Sequence, residues 1–568
     1  MDRFWLKEYP PGVPHDVDVD QCPSLVALLE DGFRRHAARH AYAYMDRHFT
    51  FAEVDRYSAA FGAWLQQQGL SPGARVAIML PNVVQYSIAL AGVLRAGYVV
   101  VNVNPLYTPR ELEHQLSDSG AEAIVILENF AATLQQVVAR TAVRRVIVAS
   151  LGDMLGFPKG ALVNFAVRRL RKLVPAWSLP GHVRFLTALD AGAARQLQPV
   201  AVGPQDVAFL QYTGGTTGVS TGATLTHRNL VANVLQMEAW IVPALNDTSR
   251  GPVPEQFVYI CALPLYHVFA LVVNCLFGVR IGALNVLITN PRDIPGLVRE
   301  IARYRFHVIP GVNTLYNALC ENAEFRKLDF ASLRVANGGG MAVQQAVSDK
   351  WQAITGLPII EGYGLSETSP VATCNPIDNR EYNGTIGLPF PNTDIAILDD
   401  AGRALPPGQP GEIAIRGPQV MAGYWNRPDE TAIVMTPGGF FKSGDIGVMD
   451  ARGYVRIVDR KKDMILVSGF NVYPNEIESV IASHPGVMEC AAIGVPDDKS
   501  GEAVKVFVVR RDPELTAAQL LDFCRQNLTG YKRPKYVEFR DELPKTNVGK
   551  ILRRELRESS TLREEAAV

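Results

Sequence analysis

Short apolar runs, each of the length of a buried β-strand, alternate with helix-like patterns up to about Arg456. The clearest runs are Val76–Leu80, Ala123–Leu127, Val146–Ala149, Val258–Ala262, His307–Pro310 and Leu357–Ile360. Many of them are followed by Gly or Pro, residues that mark turns and loops. Strands that are apolar along their whole length are typical of parallel sheets covered by helices on both faces. The alternation therefore predicts an α/β fold with layered sheets and helices.

The pattern changes after Pro391, where two apolar runs flank strong turn signals. Ile395–Leu398 and Glu412–Arg416 are separated by the segments Asp399-Asp-Ala-Gly402 and Pro406-Pro-Gly408. Gly, Pro and Asp at such positions are typical of hairpin loops. We therefore expect hairpin-like units in this part of the chain.

A domain boundary is expected near the charged run Asp459-Arg-Lys-Lys-Asp463, which lies between two apolar runs. The 568 residues are too many for a single hydrophobic core. We predict a large N-terminal domain of several subdomains over residues 1–458, a hinge over 459–463 and a small mobile α+β domain over 464–568. In the small domain, helices are predicted at Pro474–Ala482 and Thr516–Asn527, and strands at Cys490–Val495, Val504–Val509 and Tyr536–Phe539.

Composition excludes several classes of function. The formal net charge of −1 gives no general basic field for nucleic acid. The seven cysteines lack Cys-x-x-Cys spacing, which favours reduced thiols in a cytoplasmic protein over disulfides or a zinc site. The first residues lack the apolar core of a signal peptide. No run reaches the roughly eighteen apolar residues that a membrane span needs. We therefore expect a cytoplasmic protein.

One amphipathic stretch, Gly160–Trp177, combines apolar spacing with a cluster of cations. Val163, Ala166, Leu170 and Leu173 are spaced for one helical face, beside Arg168, Arg169, Arg171 and Lys172. Such a helix is able to lie on an anionic membrane surface. Most amphipathic stretches instead cover the core of their own domain, which slightly favours a docked surface helix. Both interpretations remain open at this point.

A glycine- and hydroxyl-rich segment, Tyr212–Ala223, is the first candidate for a ligand site. It lies between the apolar run Val207–Leu210 and a helix-like stretch that starts near Leu225. Glycines allow the backbone to approach phosphate oxygens, and hydroxyls and N–H groups supply donors. The segment has no Gly-Lys-Ser/Thr and is not a Walker A loop. The candidate donors are Thr213, Thr216, Thr217 and Ser220, although a glycine-rich surface turn fits the residues equally well.

Further candidates follow strand-like runs. In Glu361-Gly-Tyr-Gly-Leu-Ser-Glu367, the Glu367 carboxylate is a suitable ligand for Mg²⁺, and Tyr363 is able to stack on a purine. Arg334–Gly340 ends in three glycines, where a backbone approaches a ligand closely. Asp445, expected at a strand-end turn, is able to accept both hydroxyls of a ribose.

Two segments carry basic groups that catalysis could use. Leu263–His267 ends in a histidine, and Pro544–Arg554 contains a lysine able to stabilise a pentavalent phosphate and a leaving pyrophosphate. Each of these signals by itself also fits an ordinary structural role. A lone histidine is usually a core residue, and a basic segment is usually a solvated surface.

In this order, however, the motifs resemble the adenylate-forming superfamily of acyl-CoA synthetases, luciferases and peptide-synthetase adenylation domains. Within it, the chain is similar to the proteobacterial long-chain fatty acyl-CoA synthetases. The resemblance runs essentially from end to end and includes Val101–His114, Leu287–Leu297 and Asp459–Glu478. It implies an N-terminal adenylate-forming domain that binds AMP and acyl groups, and a mobile C-terminal domain that carries a catalytic lysine.

The resemblance implies a long-chain fatty acid–CoA ligase that needs Mg²⁺. A fatty carboxylate attacks ATP to give acyl-adenylate and pyrophosphate, and the thiol of CoA then displaces AMP. The implied partners are fatty acid, ATP and CoA, with no nucleic acid. A homodimer and a peripheral contact with the cytoplasmic face of the inner membrane through Gly160–Trp177 are further expectations. Activation of nutrient fatty acids for β-oxidation is the default role, and turnover of a fatty-acid signal needs the same chemistry.

The resemblance also assigns roles to residues. Catalytic roles fall to Lys550, Glu367 and His267, and metal binding to Glu367 and Thr217. The phosphate loop comprises Tyr212, Thr213, Gly214, Gly215, Thr216, Thr217, Gly218, Ser220 and Thr221. The adenine and acyl-adenylate pocket comprises Gly338, Gly339, Gly340, Glu361, Gly362 and Tyr363. Asp445 holds the ribose with Arg460 nearby, Lys462 is the hinge position, and Gly469 and Phe470 border the thioesterification site.

One position departs from the resembled pattern. Thr221 stands where these enzymes usually have a lysine. Loss of that cation predicts a cost of roughly 1–3 kcal/mol in adenylation, with activity reduced but not abolished. This departure supports one alternative, a weak or non-catalytic binder of acyl groups and nucleotide that acts as a sensor. A second alternative, independent of Thr221, is an adenylating enzyme with another acceptor such as a carrier protein or oxygen.

Overall fold

Two large sheets, of nine and eight strands, form the framework of the N-terminal region. The structure is a computed structural model that describes residues 3–213, 220–468, 470–497, 500–546 and 549–565. In both sheets the central strand pairs are parallel, and antiparallel pairs occur only toward the ends. A buried apolar cluster extends from Trp5 to Val455. The predicted α/β fold class is confirmed.

The strands of this region follow one another in the order expected for alternating elements. They are β1 (His40–Tyr44), β2 (Arg47–Thr50), β3 (Arg75–Met79), β4 (Val99–Asn102), β5 (Ala123–Leu127), β6 (Arg145–Ala149), β7 (Val183–Arg184), β8 (Val207–Thr213), β9 (Thr221–Thr226), β10 (Val258–Cys261), β11 (Leu284–Leu287), β12 (Val308–Gly311), β13 (Val335–Gly338), β14 (Ile359–Gly364), β15 (Val371–Cys374), β16 (Leu388–Pro389), β17 (Asp394–Leu398), β18 (Gly411–Arg416), β19 (Gly423–Tyr424), β20 (Phe441–Met449) and β21 (Val455–Arg460). The small C-terminal region adds β22 (Ile465–Val467), β23 (Phe470–Val472), β24 (Val487–Asp497), β25 (Gly501–Arg510) and β26 (Tyr536–Arg540).

The helices are α1 (Leu25–Arg35), α2 (Phe51–Leu65), α3 (Val84–Arg95), α4 (Pro109–Ser119), α5 (Ala131–Gln135), α6 (Lys159–Phe165), α7 (Phe185–Ala193), α8 (His227–Leu245), α9 (Val268–Ala270), α10 (Phe277–Ile281), α11 (Ile294–Ile301), α12 (Asn313–Glu321), α13 (Gln345–Thr355), α14 (Pro428–Val434), α15 (Pro474–Ala482), α16 (Ala517–Asn527) and α17 (Arg553–Glu565). Thr50, Thr108 and Thr226 begin α2, α4 and α8 with capping boxes, which satisfy backbone N–H groups at the helix start. None of the helices within the described residues has the length and apolar character needed to cross a membrane.

The sheets have a defined strand order. The nine-stranded sheet runs β16-β15-β14-β13-β12-β10-β11-β1-β2, and the eight-stranded sheet runs β19-β9-β8-β4-β3-β5-β6-β7. A four-stranded antiparallel sheet, β17-β18-β20-β21, contains the predicted hairpin between β17 and β18. The C-terminal region forms a five-stranded sheet, β23-β22-β25-β24 with β26 beside β25, packed with α15, α16 and α17. This region is the predicted small α+β unit.

Two local expectations were wrong. The segment after Tyr212 does not lead from a strand into a helix, because β9 returns antiparallel to β8 before α8 begins at His227. The β-branched threonines of β9 favour this strand. Asp445 does not lie at the end of a strand but inside β20, next to an irregularity in its pairing with β21.

The segment Gly160–Trp177 also differs from the expected single helical face. The α-helix α6 ends at Phe165 and continues as a π-helical turn, Ala166–Leu170. The wider turn shifts the angular position of the later residues. As a result Val163 packs against the core cluster, whereas Leu170 and Leu173 face outward.

The C-terminal region contacts the N-terminal region beside α12. The Asn317 side-chain amide donates to the Met488 carbonyl oxygen at 3.1 Å, and Arg511 pairs with Glu321 at 2.8 Å. The Thr314 hydroxyl donates to the Gly549 carbonyl oxygen at 3.1 Å. These contacts place the residue after Gly549, which is Lys550, against the large region.

Candidate active site

The neck of the predicted phosphate loop is a β-hairpin. Tyr212 and Thr213 of β8 lie opposite Gly222 and Thr221 of β9. Ser220 accepts a hydrogen bond at its backbone oxygen from the His114 ring, with 2.9 Å between the atoms. The remaining predicted loop residues lie outside the described part of the chain: Gly214, Gly215, Thr216, Thr217 and Gly218. The strands therefore define where the loop starts and ends.

Tyr212 contributes to the frame of this hairpin. Its hydroxyl donates to one carboxylate oxygen of Asp118 at 2.7 Å, and Arg427 pairs with the other oxygen at 2.8 Å. The same carboxylate thus links β8 to the segment after β19. Sequence reasoning missed Asp118 and Arg427, because no local motif marks two residues so far apart in the chain.

Glu367, the predicted magnesium ligand, lies close to the hairpin. It is buried in a short 3₁₀ turn after β14. The Tyr424 hydroxyl donates to Glu367 Oε1 at 2.8 Å. Tyr424 belongs to β19, which pairs with β9, and Ala223 is its partner there. The phosphate-loop hairpin, Tyr424 and the carboxylate therefore form one connected structure.

We predict that Tyr424 orients the Glu367 carboxylate for the cation. Tyr424→Phe removes the charge-assisted hydrogen bond and should raise the Mg²⁺ concentration for half-maximal adenylation about tenfold. Pyrophosphate release titrated with Mg²⁺ measures this, and the Mg²⁺-dependent shift in unfolding temperature gives a readout without turnover. Tyr9→Phe, which loses a 2.7 Å hydrogen bond to the Pro389 oxygen elsewhere, is the control. An unchanged Mg²⁺ dependence in Tyr424→Phe would contradict the prediction.

Asp445 and Tyr363 meet across two sheets. The Tyr363 hydroxyl of β14 donates to Asp445 Oδ2 of β20 at 2.7 Å, and both residues are buried. Asp445 lies opposite Arg460 of β21 in the strand pairing. The arrangement brings the predicted ribose carboxylate, the predicted purine-stacking ring and the Arg460 backbone together.

The three glycines at the end of β13 lie in a tight turn, where a side chain would be either crowded or strained. A Cβ on Gly338 would lie 2.5 Å from Val343 Cγ2, and one on Gly339 would lie 3.1 Å from the Phe269 ring. Gly340 has a φ of +75°, which favours glycine. This tight turn lies beside β14, where Glu361 pairs with Gly338. The turn is therefore built for close packing at the predicted acyl-adenylate pocket.

The Glu361 side chain stabilises this glycine turn through a hydrogen bond to the backbone. It is buried, and its Oε1 accepts a 3.0 Å hydrogen bond from the Val343 N–H. Burial raises the pKa of the Glu361 carboxyl to about 8, although the Val343 hydrogen bond opposes the increase. At neutral pH the carboxyl is therefore mainly protonated, so Glu361 is neutral in the folded protein.

This pKa predicts a stability change with pH. The unfolded carboxyl titrates at about 4.3, so between that pH and about 8 the folded state holds a proton that the unfolded state releases. Glu361 therefore costs stability progressively as the pH rises through this window. The unfolding temperature of Glu361→Gln relative to wild type should therefore rise from pH 5 to pH 8, and Glu381→Gln on the surface serves as the control. Equal differences at both pH values would contradict the assignment.

His267 and Lys550 come from different regions of the chain but interact. The Phe269 N–H donates to His267 Nδ1 at 3.3 Å, which leaves Nε2 as the protonated nitrogen of a neutral ring. Burial, with the positive charge of Lys550, lowers the pKa of His267 to about 4. His267 is therefore suited to donate a hydrogen bond from Nε2, and Lys550 supplies the nearby cation.

The turn that carries Lys550 fits closely against α12. Gly549 has a φ of +80°, and a Cβ on it would lie 2.5 Å from Thr314 Oγ1. The Lys550 N–H donates to Thr546 Oγ1 at 3.1 Å. The backbone on both sides of Lys550 is thus held in place by hydrogen bonds.

The predicted hinge, residues 459–463, starts in the last two residues of β21 and continues in the turn before β22. Lys462 is exposed there, whereas Asp459 and Asp463 are buried. Arg553 of α17 pairs with Asp463 at 3.3 Å and with Glu478 at 2.7 Å, and the Asn475 N–H donates to Asp459 at 2.8 Å. Phe470 is exposed and stacks on Tyr531 with 4.7 Å between the ring centres. Gly469 lies outside the described residues.

Comparisons with known proteins identify the family of this chain. Residues 29–425 match the family model "AMP-binding enzyme", and residues 476–550 match "AMP-binding enzyme C-terminal domain". The long-chain-fatty-acid–CoA ligase of Escherichia coli O6:H1 is 55% identical over 99% of both chains, and that of Bacillus subtilis is 37% identical over 98% of both.

Solved structures give the same result. The anthranilate CoA ligase AuaEII in complex with anthranoyl-AMP has a TM-score of 0.84 at 25% identity, covering 97% of this chain and all of that one. ATP-bound MatB from Rhodopseudomonas palustris has a TM-score of 0.78 at 29% identity, covering 94% of this chain and 99% of the other. The chain therefore belongs to the AMP-binding enzyme family, with an adenylate-forming N-terminal part and the family's C-terminal domain.

Proposed function

We propose that this protein is an ATP-dependent long-chain fatty acid–CoA ligase. The observation that carries the proposal is that Lys550 of the C-terminal region acts electrostatically on His267 of the large region, next to the contact between Gly549 and Thr314. The full-length similarity to ligases of that name supports the same substrate class. The proposed domains are residues 1–458 and 464–568, joined by the hinge 459–463.

In the first half-reaction, a carboxylate oxygen of the fatty acid attacks the α-phosphorus of ATP. A new oxygen–phosphorus bond forms, the bond to the bridging oxygen breaks, and pyrophosphate leaves with the electron pair. Lys550 stabilises the negative charge of the pentavalent phosphate. His267, neutral at physiological pH, donates from Nε2 to orient the carboxylate without competing for its negative charge.

The nucleotide is held by the other predicted residues. Asp445 accepts hydrogen bonds from the ribose, and the tight Gly338–Gly340 turn with Tyr363 lines the adenine. In the second half-reaction the CoA thiolate attacks the acyl carbon, AMP leaves, and the thiol proton passes to solvent. For this step the small domain rotates about Lys462, which withdraws Lys550 and brings Phe470 to the site.

The residues present fit a magnesium ion. Glu367 is a buried carboxylate with one oxygen held by Tyr424, and the described residues contain no cluster of three or more metal-ligating side chains. One carboxylate combined with phosphate oxygens is the usual way in which Mg²⁺ is bound. Glu367 and Thr217 are the proposed protein ligands. When bound, the ion would neutralise charge on the phosphates.

Pyrophosphate release with oleate, ATP and Mg²⁺ tests the proposal, followed by CoA addition and detection of oleoyl-CoA. Release of pyrophosphate without formation of oleoyl-CoA would instead indicate a different acceptor. Absence of both would indicate a sensor. A series of fatty acids of increasing chain length would define the substrate range.

The cellular setting is also proposed. We place the protein in the cytoplasm, with a peripheral contact at the inner membrane, where long-chain fatty acids partition. Activation of fatty acids for β-oxidation is the proposed role. A homodimer stays a prediction, to be measured by sedimentation velocity.

A further inference from the structure

An exposed apolar surface lies on the segment between β6 and β7. In the described part of the chain, five of the fourteen exposed large hydrophobic side chains lie between residues 157 and 173. They are Phe157 (92% exposed), Leu162 (64%), Phe165 (56%), Leu170 (70%) and Leu173 (52%). We call these five residues the apolar protrusion. Such a concentration marks an interaction site, because isolated apolar side chains are usually scattered over a surface.

The segment is attached to its domain mainly through polar side chains, and the apolar protrusion is not part of this contact. Arg168 makes bidentate hydrogen bonds to the buried Glu128 carboxylate at 2.9 to 3.1 Å, and Arg184 forms a second ion pair with Glu128. Asn164 Oδ1 accepts from the Gly152 N–H at 2.7 Å. Val167 is buried beside them. These contacts fix the orientation of the segment and keep the apolar protrusion outward.

Exposed cations lie in the same segment as the apolar protrusion. Arg169, Arg171 and Lys172 are exposed and form no ion pair with any described residue. No Asp or Glu occurs between Asp153 and Asp190, a stretch that holds six Lys and Arg residues. The local positive charge therefore contrasts with the net charge of −1 of the whole chain. A partner that covers this surface must supply both apolar material and negative charge.

We propose that the apolar protrusion and its three cations dock on an anionic lipid surface. Phe and Leu side chains insert at the boundary between headgroups and acyl chains, while Arg and Lys contact lipid phosphates. A second copy of this chain is a poorer occupant, because a two-fold contact would set the same cations against each other. The biological use of this docking rests on the proposed function, since a fatty acid ligase draws its substrate from lipid.

The test uses the full-length protein without substrates, sedimented with vesicles of phosphatidylcholine alone or mixed with phosphatidylglycerol. Wild type should bind the mixed vesicles much more strongly. The variant Phe165→Ala/Leu170→Ala/Leu173→Ala should bind them at least tenfold more weakly, by rough estimate from the apolar area lost. The variant Arg169→Gln/Arg171→Gln/Lys172→Gln should lose about fivefold per residue and most of its preference for anionic lipid.

Matched controls replace exposed residues elsewhere. The apolar control is Val253→Ala/Ile433→Ala/Met488→Ala, and the charge control is Arg34→Gln/Arg403→Gln/Arg554→Gln. Both should bind as wild type does. Equal binding by all variants would overturn the proposal, and so would a protrusion variant that loses self-association in sedimentation velocity but keeps vesicle binding. Because no turnover is measured, failure of the ligase reaction would leave this result unaffected.

Discussion

Lys550→Ala should lower the rate of acyl-adenylate formation by about 10²- to 10³-fold. In the structure the positive charge of Lys550 acts on His267, the residue proposed to orient the fatty carboxylate. Removal of this cation would take away the charge proposed to stabilise the pentavalent phosphate. Pyrophosphate release in a single turnover measures the effect directly.

The second half-reaction separates this role from general damage. Lys550→Ala should convert isolated oleoyl-adenylate and CoA to oleoyl-CoA within about threefold of the wild-type rate, since the proposed domain rotation withdraws the lysine in that step. Lys545→Ala in the same segment, where the side chain pairs with Glu489 at 2.6 Å, is the matched control. If both half-reactions fall equally in Lys550→Ala, the lysine acts through the structure of the small domain.

Much of the fold could be predicted because buried strands have a strong local signature. β5 and α15 match their predicted bounds, since five consecutive buried residues and a proline at a helix start are local signals. β9 could not be predicted in this way. Its Thr- and Gly-rich sequence becomes a strand because it pairs along the whole length of β8. The pairing of β9 with β8 therefore determines the strand, which the β-propensity of its residues does not determine by itself.

In the candidate site, too, some features have local sequence signals and others depend on tertiary contacts. Sequence motifs single out Glu367, Asp445 and Lys550, but the contacts that support these residues are not local. Tyr424 reaches Glu367 across 57 residues, and Tyr363 reaches Asp445 across 82. A tyrosine that orients a carboxylate has no signature of its own in a single sequence. The structure is needed to find it.

The apolar protrusion is a further case. The sequence placed cations and apolar residues together but could not choose between a docked helix and a membrane surface. The π-helical turn after Phe165 decides which side chains face outward, and such a turn has no reliable sequence signal.

Thr221→Lys should raise the rate of adenylation, by up to about a hundredfold for a gain of roughly 1–3 kcal/mol. Thr221 is the first residue of β9 and lies opposite Thr213, at the point where the phosphate loop rejoins the sheet. A lysine at this position would direct its ammonium group toward the pyrophosphate end of the nucleotide. The negative charge that develops on the leaving group would then have a second cation besides Lys550.

The space around this position makes a length control necessary. Thr221 is only 7% exposed, so a longer side chain has to extend along the hairpin toward the loop. Thr221→Met introduces a stem of similar length without charge and should be no faster than wild type. Single-turnover pyrophosphate release at saturating oleate, with unfolding temperatures for all three proteins, measures the comparison. Equal rates in wild type and a stably folded Thr221→Lys would show that the missing cation has no role, and that Mg²⁺ and Lys550 are sufficient for the phosphates.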